Sequence, residues 1–151
     1  MSKANDLISQ LPAMRQALGN GKKVEFETHG HSMIPLLHDG GDKVILTLNK
    51  ASLKVNDVAL CKTSDGRYVL HRVVALDGNG YVLKGDNCVN TEYCQSDDDV
   101  VGVACCFIRR GKAISVTDKK YLFYVKHRNF ILRLWRAFWC VADTVTGLFH
   151  R

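Results

Sequence analysis

Apolar positions divide the chain into three textures. In residues 4–18, Leu7, Ile8, Leu11, Met14, Ala17 and Leu18 recur at helical spacing, with Pro12 weakening the middle. Gly19, Asn20 and Gly21 then end the predicted helix. From there to residue 117, short β-like runs alternate with turn residues. VEFET (24–28), KVILTL (43–48), DVALCK (57–62), RYVLHRVVAL (67–76), YVLKG (81–85), VVGVACCFIRR (100–110) and AISVT (113–117) are the strand candidates. Asp65-Gly66 and Gly78-Asn79-Gly80 read as hairpin turns. This spacing predicts a mainly β domain, a compact antiparallel sheet or partly closed barrel. In residues 121–149, Phe130, Ile131, Leu134, Trp135, Phe138, Val141, Ala142, Val145, Leu148 and Phe149 form one face of an amphipathic helix. The expected organisation is an N-terminal helix over 1–21, a β-rich domain over 22–118 and a basic helical tail over 119–151.

Charge sharpens that division. The chain of 151 residues carries a net +6, but residues 109–151 hold ten Lys/Arg against two Asp. Residues 1–108 hold eleven Lys/Arg against thirteen Asp/Glu. A basic tail on a slightly acidic body argues against a nucleic-acid-binding surface. The N-terminus has no apolar run of signal-peptide length, and no segment offers eighteen uncharged apolar residues. The expected location is therefore the cytoplasmic side, with peripheral membrane contact through 128–149. The alternatives for that helix are packing on the β domain or docking a partner. Cys61, Cys88, Cys94, Cys105, Cys106 and Cys140 show no metal-binding spacing and read as small apolar residues, with a Cys88–Cys94 disulfide as the minor alternative.

Candidate chemistry centres on THGHSMIPLLHDGGDKV (28–44), where Ser32 sits in a Gly-rich turn. Further along come Leu70-His71-Arg72-Val73-Val74 on a predicted strand, Lys84-Gly85-Asp86-Asn87, Glu92, and Val101-Gly102-Val103. Ser32-Met33-Ile34-Pro35, Gly41-Asp42-Lys43-Val44, His71-Arg72-Val73-Val74, Gly85-Asp86-Asn87 and Val101-Gly102-Val103, in that order, resemble the type I signal peptidase family. That family shares a superfamily with the LexA-like self-cleaving repressors. The matching pieces span residues 28–103.

The resemblance implies the fold of that superfamily and a serine endopeptidase that cleaves a leader or signal-like segment. It makes Ser32 the nucleophile and its backbone N–H part of the oxyanion hole. Most bacterial members place a lysine base before the Arg-Val pair. His71 in that position resembles the branch that uses histidine. Asp86 matches the Asp of a GDN motif, and Glu92 falls where a second acid, normally Asp, is expected. Either carboxylate would fix the His71 tautomer, and the residues alone leave the choice open. Met33 and Pro35 are groove candidates. The family's hydroxyl two residues before the nucleophile is absent, because that position is Gly30.

Chemically, a serine needs a base to remove its proton during attack. A neutral histidine, with an ordinary pKa near 6.5, suits that work near neutral pH. No cofactor is expected. His29, His31 and His38 flank the serine, but without an acid or cysteine at metal-ligand spacing they imply no metal site. His127 and His150 in the tail read as solvated or interfacial. The alternatives are a non-catalytic peptide-binding or regulatory module that keeps the fold, and a LexA-like self-processing regulator. The latter lacks room for a preceding DNA-binding domain and a suitably placed lysine beyond Lys62.

Overall fold

The computed structural model describes the backbone of residues 3–48, 51–78 and 80–148, and side chains between 7 and 138 within those ranges. The chain divides into two compact units, Met1–Val116 and Thr117–Arg151. The first unit is built from helix α1 (Lys3–Gly19) and strands β1 (Val24–Glu27), β2 (Lys43–Thr47), β3 (Val58–Lys62), β4 (Tyr68–Asp77), β5 (Gly80–Lys84), β6 (Glu92–Cys94), β7 (Val100–Arg109) and β8 (Lys112–Ser115). One 3-10 turn, Asp97–Asp99, precedes β7.

All strand pairs are antiparallel, in the order β1-β2-β7-β3-β4-β5-β6. The long strand β7 carries three partners. β2 takes one of its edges, while β3 pairs with Val100–Val103 and β8 with Cys106–Arg109 on the other. The sheet ends at β1 and β6 and is not closed, which corrects the partly closed barrel. Closure would need a ladder between those two ends, and β1 has four residues and β6 three. Register shifts at Ile45/Leu46, Leu60/Cys61 and Val73/Ala75 increase its local twist instead.

Side-chain alternation follows the sequence pattern. Val44 and Leu46 of β2 are fully buried while their neighbours are half-buried. Leu11, Met14 and Leu18 form the buried stripe of α1, which packs on β7 and β1. The helix runs through Pro12, which is exposed. A second apolar cluster joins Leu53, Ala59, Cys61, Val73, Tyr81, Leu83, Cys94 and Val100. Cys61, Cys88, Cys94, Cys105 and Cys106 form no disulfide. Four of them lie on strands, whereas Cys88 lies in the loop after β5.

The second unit contains α2 (Lys119–Leu148). Phe123, Phe130, Leu134 and Phe138 are 61%, 64%, 56% and 68% exposed. At ~100° per residue they fall within an arc of about 80°. Lys119, Lys126 and Arg133 are exposed and recur every seven residues beside that stripe. No Asp or Glu occurs between Lys119 and Ala142. No helix among the described residues is long and apolar enough to cross a membrane. The Cys140 side chain and residues 149–151 lie outside the described set.

Candidate active site

Ser32 lies on the connection between β1 and β2, which is pinned at its base. The backbone N–H and the hydroxyl of Thr28 both donate to the Asp42 carbonyl, each at 3.0 Å. The buried Asp42 carboxylate accepts the His38 N–H at 2.9 Å and the Arg110 N–H at 3.3 Å. Burial pushes this carboxyl up, but the His38 and Arg110 hydrogen bonds, with the Arg109 charge, outweigh it and hold the pKa low. Inside the connection, Met33, Leu36 and Leu37 are buried anchors. Gly30 adopts φ +90° and donates its N–H to Asp39 at 3.0 Å. A Cβ there would meet nothing within 4 Å, so the backbone conformation, not crowding, disfavours a side chain.

The register of β4 sorts the charged residues. Arg72 pairs with Lys84 and His71 with Ala59, so His71 and Arg72 point to opposite faces of the sheet. Continuing that alternation puts Gly85 on the side of His71 and Asp86 on the side of Arg72. Asp86 accordingly accepts two hydrogen bonds from the fully buried Arg72. They run from Nε at 2.9 Å and from the second guanidinium arm at 2.8 Å. The other arm donates to the Asn56 carbonyl at 2.9 Å. The Asp86 carboxylate is thus committed to an ion pair.

Glu92, at the start of β6, pairs with Leu83, which in turn pairs with Val73, so it shares the face of His71. Its Oε2 lies 2.6 Å from His71 Nδ1. Despite that distance, neither atom makes a well-formed hydrogen bond. His71 is buried, which pushes its pKa below the ordinary 6.5. Glu92 and Asp86 act in the opposite direction without cancelling that effect, and the Arg67 charge adds to the lowering. Burial thus favours the neutral imidazole.

The loop after β5 connects this pair to the serine. A Cβ on Gly85 would lie 3.0 Å from His71 Nε2 and 2.7 Å from both the Ser32 carbonyl oxygen and Cys88 Sγ. Only glycine permits that approach. Asn87 stitches the two loops together. Its backbone N–H donates to the Ser32 carbonyl at 2.8 Å, and its side-chain amide donates to the His31 carbonyl at 3.2 Å.

Ser32 and His71 line one cleft of about 620 Å³. Its apolar walls include Leu7 and Ile8 of α1, Phe26 of β1, Met33, Leu60 and Val69. Of the two groove candidates, Met33 lines this cleft and Pro35 does not. Gly85 and Asn87 stand within the GDN motif, but their contacts with the Ser32 loop, and the place of α1 on the cleft wall, have no local signal in the sequence.

The flanking histidines are spread out. His29 Nδ1 is 3.5 Å from Asp39 and His38 Nδ1 is 3.3 Å from Asp42. No group of three or more metal-ligating side chains occurs among the described residues. Lys62 is exposed at the end of β3. His127 packs on Phe123 with ring centroids 4.4 Å apart, and His150 lies outside the described residues. No family model, curated protein or solved structure matches the chain.

Proposed function

We propose that the chain is a serine endopeptidase resembling type I signal peptidase, which cleaves a leader or signal-like segment from a protein or peptide. The observation that carries this reading is that Ser32 and His71 line one apolar cleft, with Glu92 behind the imidazole. The Ser32 loop and His71 Nε2 both pack against Gly85, and Glu92 sits on the far nitrogen of the same imidazole.

In this reaction Ser32 Oγ attacks the scissile carbonyl carbon while its proton passes to His71 Nε2. The carbonyl electron pair moves to oxygen, where the Ser32 N–H stabilises it. Glu92 holds the Nδ1–H tautomer and stabilises the imidazolium. Collapse breaks the C–N bond, and the leaving amine takes the proton from His71. Water then repeats the sequence on the acyl-enzyme, releasing the new carboxyl end and restoring Ser32. The hydroxyl missing at Gly30 costs about 10²–10³-fold if no other donor replaces it. Asp86 serves by bracing the loop that carries Gly85 and Asn87.

The apolar walls favour an extended segment with apolar side chains, as in a leader peptide. In the same reading α2 is a peripheral contact that holds the peptidase unit at the anionic inner face of a membrane. Its exposed Phe123, Phe130, Leu134 and Phe138, with the adjacent basic row, support this.

The test is incubation of the wild-type protein, Ser32→Ala and His71→Ala with a peptide library, reading new termini by mass spectrometry. New termini made by the wild type and absent with both variants are expected. Identical patterns for all three overturn the reading in favour of a non-catalytic peptide-binding module.

A further inference from the structure

We infer that Arg67 is a positioning residue that holds the Glu92 carboxylate against His71. The inference rests on the Ser32–His71–Glu92 reading and adds a fourth member from a different element.

Glu92 divides its two oxygens between partners. Oε2 faces His71 Nδ1, while Oε1 accepts a hydrogen bond from the Arg67 guanidinium at 2.9 Å. Arg67 is itself fixed from behind, since its Nε donates to Asp65 Oδ2 at 2.8 Å. Asp65 in turn accepts a short hydrogen bond from the Thr63 hydroxyl. These residues form the tight turn between β3 and β4. The Thr63 N–H donates to the Arg67 carbonyl at 2.7 Å, and the Gly66 N–H donates to the Thr63 carbonyl at 2.8 Å. The turn is also tied to β6, because the Ser64 N–H donates to the carbonyl of Tyr93, the neighbour of Glu92, at 2.9 Å. Arg67 is thereby anchored over Glu92 by its own turn and by that turn's bond to the strand carrying Glu92.

A surface-type ion pair at a side chain 61% exposed contributes little to stability. Its geometry is another matter. A fork-shaped guanidinium binds two carboxylates at once in fixed directions, which an ammonium does not. Without it, the Glu92 side chain is free to turn toward solvent. The charged groups around His71 are Glu92 and Arg67 on one side, and Asp86 with its partner Arg72 on the other. Glu27 and His29 line the same cleft.

The test is a double-mutant cycle on the His71 titration, followed by NMR of the imidazole and assigned with His71→Gln. It needs no substrate, so it is independent of whether the protein cleaves peptides. Glu92→Gln shifts the His71 titration to lower pH in the wild-type background. The same substitution in an Arg67→Gln or Arg67→Lys background is expected to shift it by less than half as much, with thermal midpoints unchanged by the Arg67 substitutions. An equal Glu92→Gln shift in all three backgrounds overturns the positioning role. No shift even in the wild-type background rejects the His71–Glu92 pair itself, and the inference with it.

Discussion

The Arg72 guanidinium holds both oxygens of Asp86, at 2.9 and 2.8 Å, with Arg72 fully buried and Asp86 nearly so. This leaves Glu92 as the carboxylate beside His71. Breaking a buried pair strands an uncompensated charge, at a cost of about 3–5 kcal/mol. Asp86→Ala should therefore lower the urea midpoint by that equivalent. Glu92→Gln keeps a polar side chain at a partly exposed site and should stay within about 1 kcal/mol of wild type. The two variants thus separate folding from catalysis. Glu92→Gln should lose cleavage without losing stability.

The buried imidazole of His71 has a pH signature. Its pKa lies below 6.5 in the folded state, so the unfolded chain binds this proton first on acidification. Its contribution to stability is therefore complete above pH 6.5 and declines as pH falls below that value. Catalysis needs the neutral base, so the acidic limb of kcat/KM should fall below pH 6.5. Glu92→Gln removes two of the influences that raise the pKa, leaving that of Asp86, and should move the His71 titration, followed by NMR, further down. A limb above 6.5 in the wild type would contradict the assignment.

Gly85 lies where the Ser32 loop and His71 approach each other. Gly85→Ala places a methyl group 3.0 Å or less from His71 Nε2 and from the Ser32 carbonyl. One of them must move, and displacements near 1 Å at a reacting group cost about 10²-fold. Activity should drop by that factor while far-UV circular dichroism stays unchanged.

The exposed stripe of α2 makes a separate prediction. The protein should float with vesicles containing phosphatidylserine and remain behind with pure phosphatidylcholine vesicles. Phe130→Ser with Phe138→Ser should abolish flotation and leave peptide cleavage intact. Equal recovery with both vesicle types would show that the basic row beside the stripe has no part in binding.

Much of this fold is legible in hydrophobic periodicity. Both helices and seven strands follow from it, because each is long enough to show a 3.6- or 2-residue period. Strand β6 is not, since Glu92-Tyr93-Cys94 is too short to display alternation. The open edge of the sheet also escapes, because no local pattern says whether β1 meets β6. The choice between Asp86 and Glu92 depends on register. His71 and Arg72 are adjacent in sequence but face opposite sides, and that parity assigns each acid its partner. Arg67 gives no local signal at all, because its role arises from a turn brought beside β6.

The most direct test of the account is kcat/KM for the best peptide from the library, measured for wild type, Ser32→Ala and His71→Ala at pH 7.5. Both variants should lose about 10⁴-fold or more, with thermal midpoints close to wild type. Wild-type rates retained in a folded Ser32→Ala, or no turnover by the wild type on any library peptide, would contradict it.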